Sequence, residues 1–156
     1  MKYIIGGLMW VMRLTWCILD SLIGLFVFLF FLIRYGKKLH IGYVAHCIVV
    51  EVPHSITESG WGLEGGIFIF SNTNSIWNRG YLLYHEWGHN IPQALLCGPL
   101  HPFIVFIPSV IRFWWRDRQY RKGKELSPYD SVWFERTATD WGTSWFKKGL
   151  HKGYWN

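Results

Sequence analysis

The longest apolar run of the chain extends from Leu14 to Ile33, and Asp20 is its only charged residue. A run of about 20 residues can cross a hydrocarbon core roughly 30 Å thick as a helix. Arg34, Lys37 and Lys38 follow at once, as is typical of the cytoplasmic side of a span. A secretory signal peptide would have a shorter apolar core, about 7–15 residues. The run therefore predicts a transmembrane helix that anchors the chain.

The residues before this run are also apolar, apart from Lys2 and Arg13. Residues 3–33 are long for one span and short for two, so a kinked or tilted helix and an interfacial helix before the span both fit. Asp20 would be costly as an unpaired charge inside the bilayer. Because it lies near the water interface, we expect a structural role for it. Residues 1–38 are assigned to the membrane anchor.

The pattern becomes β-like after the anchor. Gly42–Val52 is rich in β-branched and aromatic residues and ends at Pro53, and a second such stretch covers Gly66–Phe70. A glycine-rich turn at residues 60–66 separates the two. They predict a small antiparallel sheet. The expected fold class is mainly α with a small antiparallel β-sheet (α+β), with residues 39–156 as the folded domain.

Two helical segments follow the strands. The first should run from about Arg79 to Asn90, and Pro92 should kink or end it because proline opposes the preceding helical turn. The second is the apolar stretch Phe103–Trp115, which Pro108 interrupts. It is too short to span a membrane comfortably and rich in aromatic residues. An interfacial or re-entrant helix at about residues 100–116 fits best.

The last helix is predicted at residues 128–148 from its terminal signals. Ser127 is a good N-cap, Pro128 a good first helical residue, and Asp130 would complete a capping box. Two lysines and a glycine are suitable for its C-terminal end. Glu135 then lies in the second turn of this helix.

Composition and charge favour contact with lipid. Hydrophobic residues make up 51% of the chain and aromatic residues 19%, including 11 Trp. The net charge of +6 would permit nucleic-acid binding, but the cations cluster beside apolar runs, at residues 34–38 and 112–124. This placement suits anionic headgroups, so membrane lipid is the expected partner and nucleic acid is not. The three cysteines are odd in number and far apart in the sequence, which argues against a disulfide framework.

The segment from His85 to His89 reads HEWGH, an instance of the H-E-x-x-H zinc-peptidase pattern. Histidines four residues apart lie on one face of a helix, so both imidazoles can reach one metal ion. Glu86 can then act as a general base toward a water molecule that Zn²⁺ activates. The motif is short, and a chance pair of helical histidines is the alternative.

A catalytic zinc ion needs a third protein ligand. No further His follows at the six-residue distance, Glu125 lies in a charged loop, and Asp130 is assigned to capping. Glu135 is flanked by aromatic residues, where a bare carboxylate would be costly unless it is paired or metal-bound. Glu135 is therefore the predicted third ligand. A salt bridge to Arg112 or Arg136 is the alternative.

Five sequence segments occur in an order that a known family shares: Gly66–Phe70, HEWGH, Gly98–His101, Ile107–Ser109 and Glu135–Ala138. In this order the chain resembles small membrane-associated bacterial proteins of gluzincin type, most of them uncharacterised. The likeness covers about residues 60–145. It implies a zinc metallopeptidase of the bacterial inner membrane, with His85, His89 and Glu135 as zinc ligands and Glu86 as catalytic base. The basic clusters after the span favour a cytoplasmic catalytic domain.

The chain departs from this family at three places. Pro92 stands near a position that is often Gln, His101 replaces a Tyr, and the Asp expected four residues after the ligand Glu is Thr139. Asp140 comes one residue later, and one residue rotates a side chain by about 100° around the helix. Asp140 can orient an imidazole only if the helix is rotated or overwound; otherwise Thr139 does so more weakly.

The remaining site residues are candidates for substrate contacts. Tyr129 and His101 could donate to the oxyanion of a peptide substrate. The strand residues Ile67, Phe68, Ile69 and Phe70 could pair with an extended peptide. Two rival functions stay open: a non-catalytic membrane protein with a structural zinc ion, and a lipid-surface module in which HEWGH is incidental.

Overall fold

The computed structural model describes residues 2–53, 61–72 and 79–145. Within these ranges the chain is mainly helical with one small sheet, as predicted. Its α-helices and strands are α1 (Lys2–Thr15), α2 (Ile18–Tyr35), β1 (His40–Val44), β2 (Cys47–Val52), β3 (Gly62–Gly65), β4 (Phe68–Asn72), α3 (Arg79–Gly88), α4 (Ala94–Cys97), α5 (Ile107–Tyr120) and α6 (Trp133–Trp145). Short 3₁₀-helices occupy Gly36–Lys38, Gly98–Leu100 and Tyr129–Ser131, and π-helices occupy His89–Gln93 and Pro102–Phe106.

The sheet is mixed, so the prediction of an antiparallel sheet was wrong. Its strand order is β1-β2-β4-β3. The β1–β2 and β3–β4 pairs are antiparallel, but β2 and β4 run parallel. The difference arises at β3, which lies where a glycine-rich turn was expected and forms a hairpin with β4. Gly66, with a φ of 60°, supplies the left-handed backbone of this hairpin turn.

The predicted strand Gly42–Val52 is a hairpin of two strands, β1 and β2. Ala45 and His46 form the turn, and both have positive φ, 47° and 68°. Neither residue type usually signals such a turn. Tertiary contacts hold it instead: the Trp87 indole donates to the carbonyl of Ala45 at 3.3 Å, and Arg13 donates to the carbonyl of His46.

Helices pack on both faces of the sheet. On one face, α3 and the π-helix after it pack against β2 and β4. The residues in contact are Leu83, Trp87 and Ile91 with Val49 and Ile69. The other face carries a second apolar cluster of β-strand and α2 residues, namely Phe31, Val50, Val52, Trp61, Phe68 and Phe70. The sheet is therefore the middle layer, and α2 shares a core with it.

Helix α2 is long and apolar enough to span a membrane. Residues Ile18–Lys38 meet this test by length and composition. Within their most apolar stretch of 18 residues, only 22% are buried against the rest of the protein. The large apolar side chains on its outer side, such as Phe26 and Ile33, are 72% and 87% exposed. A break at Trp16 and Cys17 separates α2 from α1. The predicted continuous run from Leu14 is thus a helix pair.

Proline residues shape the central helices differently from expectation. Pro92 does not end its helix; it lies in the π-helix His89–Gln93, whose wider turn accommodates a residue that cannot donate. Pro108 lies in the first turn of α5 and opens it rather than interrupting it. The helical stretches Leu82–Leu100 and Pro102–Tyr120 meet at an angle of 108°.

The last helix begins later than predicted. Helix α6 starts at Trp133, and Glu135 is in its first turn. Pro128 has an extended ψ of 146°, and the Ser127 hydroxyl bonds to Ser131 at 3.3 Å instead of capping the helix. Of the predicted range 128–148, residues 146–148 lie outside the described residues.

Candidate metal centre

The site is built where α3 and α6 cross. Gly88, inside the HEWGH motif, lies against the carbonyl of Ala138, and Gly142 lies against the carbonyl of Tyr84. A β-carbon at either glycine would collide with the backbone of the other helix. This close approach brings Glu135, one turn before Ala138, to the histidine face of α3.

Three ligand atoms converge in this crossing. The Nε2 atoms of His85 and His89 are 3.1 Å apart, and they lie 3.0 and 3.2 Å from Oε2 of Glu135. All three side chains are buried, with Glu135 fully so. The structure thus brings together the three residues predicted as metal ligands.

Gln93 fixes the tautomer of His89. Its Oε1 is 2.7 Å from Nδ1 of His89, while its amide nitrogen donates to Phe134 O at 2.6 Å and to the hydroxyl of Thr137. Because the amide nitrogen faces α6, Oε1 must accept, and Nδ1 of His89 carries the proton. The lone pair of a neutral His89 is therefore at Nε2, toward Glu135.

The Thr139 hydroxyl and the Asp130 carboxylate together fix the tautomer of His85. The hydroxyl of Thr139 is 2.9 Å from Nδ1 of His85 and donates to Oδ1 of Asp130 at 3.2 Å. Asp130 was expected to cap a helix; instead it is the carboxylate behind Thr139. Asp140 is exposed and does not take this part. Because the Thr139 hydroxyl donates to Asp130, it accepts from Nδ1–H of His85. The lone pair of the His85 imidazole is therefore at Nε2.

The donor set fits Zn²⁺. Two imidazole lone pairs and one carboxylate oxygen point at each other, which is repulsive unless a cation lies among them. Tetrahedral zinc with ligand distances near 2.0–2.1 Å holds neighbouring ligand atoms about 3.3 Å apart, close to the separations found. The Ser109 hydroxyl donates to the second oxygen of Glu135 at 2.6 Å, which leaves Oε2 for the ion.

The close contacts among these side chains also shift the pKa values of His89 and Glu135. Burial alone would lower the pKa of His89, but contacts with Glu135 and Glu86 raise it to about 9. Burial opposes ionisation of Glu135 as well, yet hydrogen bonds from His85 and His89 hold its pKa well below the usual range. A positive charge is thus favoured at the point where the ligand atoms meet.

Glu86 lies beside the three ligands at the wall of a cavity. Burial raises the pKa of its carboxyl, and the backbone N–H of Glu64 donates to it. Gly62 of β3 lies directly against this carboxylate and leaves no room for a side chain there. Two cavities, of about 240 and 310 Å³, share Glu86 and Tyr129 in their walls.

Tyr129, predicted as a candidate oxyanion donor, lies beside His85 in the wall of both cavities. Its ring centroid is 5.9 Å from that of His85, and its hydroxyl is hydrogen-bonded to Ser109 and Glu135. Burial and then the Glu135 charge raise the pKa of this phenol, so it remains a proton donor. Arg116 lies 5.4 Å from the ring centroid and holds it in place.

Two predicted substrate contacts do not fit the structure. His101 is fully buried at 3.1 Å from Asp20 and does not line either cavity, so it is not placed to stabilise an oxyanion there. Phe68, Ile69 and Phe70 belong to β4, an inner strand whose two edges are already paired, and Ile67 lies in the turn before it. The edge strand beside Glu86 is β3.

The site also contains residues that sequence reasoning missed. Gln93 follows Pro92, which stands near a position that is often Gln in the family that the chain resembles. It ends the π-helix His89–Gln93, and its side chain returns to His89. Ser109 was noted only as part of a sequence segment. The signal for Gln93 was its spacing of four residues from His89, which Pro92 concealed.

Thr139→Val is expected to weaken zinc binding by about 10–100-fold, because His85 loses the acceptor that orients its ring. Zinc affinity of the purified protein, measured by competition with a chromogenic chelator, checks this. Thr143→Val is the matched control: Thr143 lies one turn after Thr139, and its hydroxyl donates to the backbone carbonyls of Thr139 and Asp140. Equal affinity in the two variants would remove Thr139 from the site.

Comparison with protein-family models, curated proteins and solved structures found no match for this chain. The resemblance to gluzincin-type proteins therefore remains a prediction from the sequence motifs.

Proposed function

We propose that this protein is a membrane-anchored, zinc-dependent peptidase of gluzincin type. The observation that carries the proposal is the set of three buried lone pairs, from His85, His89 and Glu135, converging beside the carboxylate of Glu86. A structural zinc site has four protein ligands, whereas three ligands with an adjacent cavity correspond to a catalytic one.

Each residue has a separate task in this mechanism. His85, His89 and Glu135 would hold the ion. A bound zinc ion would lower the pKa of a water molecule to roughly 7 and polarise the scissile carbonyl. Glu86 accepts the proton of the attacking water and passes it to the departing amine. Tyr129 turns its hydroxyl from Glu135 toward the oxygen that becomes negative.

Strand β3 and the cavity favour an extended peptide with a bulky apolar side chain as substrate. Gly62 and Leu63 belong to the edge strand and line the cavity, so a peptide could add to the sheet beside Glu86. Apolar side chains form most of the cavity wall: Phe31, Trp61, Leu63, Val105, Phe106, Val110, Phe113 and Trp114. Such a wall accommodates a large hydrophobic residue and excludes a charged one.

The membrane is part of the proposal. Helix α2 would span the inner membrane of a bacterium, with Arg34, Lys37 and Lys38 on the cytoplasmic side. Phe31 of this helix also lines the cavity, so the site would lie close to the bilayer. Exposed Ile111 and Trp115 on α5 give that helix an apolar side for the lipid interface.

Glu135→Ala and His89→Ala should each remove one zinc ion per chain, together with any peptide hydrolysis that a chelator abolishes and zinc restores. The test uses the full chain in detergent, elemental analysis, and peptides with a central Phe or a central Asp. Cleavage is expected for the Phe peptide. Glu125→Ala is the control, because Glu125 is an exposed loop carboxylate.

Two results would contradict the proposal in different ways. Zinc content unchanged by Glu135→Ala and His89→Ala would show that the metal centre is elsewhere. Zinc that these variants remove, in a wild-type protein with no chelator-sensitive cleavage of either peptide, would favour a structural metal site.

A further inference from the structure

A second group of metal-ligating side chains lies outside the proposed catalytic centre. It consists of Asp20 from α2, Glu64 from β3 and His101, which lies between two short helices. Nδ1 of His101 is 3.1 Å from Oδ1 of Asp20 and 3.6 Å from Oε1 of Glu64. Each of the three residues is at most 3% exposed.

Three polar atoms of this group have no hydrogen-bond partner among the described residues: Oδ2 of Asp20, Oε1 of Glu64 and Nε2 of His101. Leaving a buried polar atom unsatisfied costs about 1–3 kcal/mol, and more when the group is charged. The two carboxylate oxygens therefore indicate that a cation belongs beside them, whereas Nε2 of His101 lies on the other side of its ring from Nδ1.

The charge of the group is also unbalanced. Two buried carboxylates face one imidazole. Arg13 is the buried cation of this region, but its guanidinium donates to His46 O and Cys47 Sγ. A divalent cation would neutralise both carboxylates without requiring a proton on either.

We propose that Asp20, Glu64 and His101 form a second site, for a divalent transition-metal cation such as Zn²⁺. Two carboxylate oxygens and one imidazole nitrogen are a donor set that such borderline cations accept. The separations of 3.1 and 3.6 Å bracket those of neighbouring ligands around one ion with bonds near 2.0–2.2 Å.

This site would join the apolar helix to the proposed catalytic domain. It links α2, β3 and the bend at His101 through a single ion. The backbone N–H of Glu64 donates to Glu86, so an ion held by the Glu64 side chain would also fix one wall of the cavity. Its role is thus to position the strand beside Glu86, and the proposal stands whether or not the protein cleaves peptides.

Counting zinc ions per chain tests the proposal, and the main comparison leaves the second site unaltered. The full chain in detergent is saturated with ZnCl₂, dialysed against a weak chelator and analysed for zinc. The wild-type chain should retain two ions, and His85→Ala/His89→Ala should retain one. Asp20→Asn/His101→Asn should also retain one, with the centre at His85 intact. His40→Asn, at an exposed histidine, should retain two.

One zinc ion in the wild-type chain and none in His85→Ala/His89→Ala would overturn the second site. Zinc that the dialysis strips from His85→Ala/His89→Ala would do the same, because it would be adventitious. If Asp20→Asn/His101→Asn does not fold, the comparison of the other two proteins still decides. One ion in the wild-type chain that survives His85→Ala/His89→Ala would instead contradict the proposed catalytic centre and keep this one.

Discussion

Replacing Glu86 by Gln is expected to lower peptide hydrolysis by about 10²- to 10⁴-fold and to leave the zinc content unchanged. Glutamine keeps the shape of the side chain but cannot accept the proton of the attacking water. Glu86 is not one of the three converging ligands, so its replacement should not release the ion. The measurement is kcat on the Phe peptide, beside elemental analysis of the same sample.

The control for this variant is Glu125→Gln, which removes an equal charge at an exposed position. It should keep the wild-type kcat. A Glu86→Gln protein that retains zinc and cleaves the peptide at the wild-type rate would exclude Glu86 as the base. A protein that loses zinc would show that Glu86 contributes to binding the ion.

The convergence of His85, His89 and Glu135 could be predicted because helical spacing alone determines most of its geometry. His85 and His89 share a helix face whatever the rest of the fold does. Glu135 was identified by its apolar neighbours, where an unpaired carboxylate would be costly. The rotation argument for Thr139 against Asp140 was also local, and the hydrogen bond that His85 donates to the Thr139 hydroxyl agrees with it.

The residues behind the ligands could not be predicted, since they depend on contacts between distant segments. Asp130 reaches Thr139 only because it lies in a separate 3₁₀-helix, which the extended residue Val132 divides from α6. Gln93 reaches His89 through a π-helix, which hydrophobic periodicity does not reveal. Strand β3 is short and rich in glycine, so its composition indicates a turn, and pairing with β4 decides otherwise.

For the apolar helix α2, too, local features could be predicted and contacts with distant segments could not. Its length and hydropathy predict a span, and the structure agrees with a helix of that kind. Composition could not show that one side of it packs on the sheet, with Gly24 against the backbone of Gly65. Nor could it show that Asp20 is paired with His101 instead of solvated.

The geometry of the proposed catalytic centre depends on how closely α3 approaches α6. Gly88 and Gly142 are the contact points, and each faces a carbonyl of the opposite helix. A backbone carbonyl cannot rotate away as a flexible side chain can. Any β-carbon at Gly88 must therefore push the two helices apart, and that movement separates Glu135 from the two histidines.

Gly88→Ala is expected to lower the free energy of unfolding by about 2 kcal/mol and the thermal midpoint by roughly 4–8 °C, with weaker zinc binding. Helix propensity alone predicts the opposite sign, because alanine favours an exposed helix interior by about 1 kcal/mol over glycine. Gly7→Ala in α1 is the matched control, since a β-carbon there meets no atom within 4 Å. Thermal unfolding of both variants, with and without zinc, measures the difference. A Gly88→Ala protein as stable as Gly7→Ala would show that the helices do not approach as closely as the structure has them.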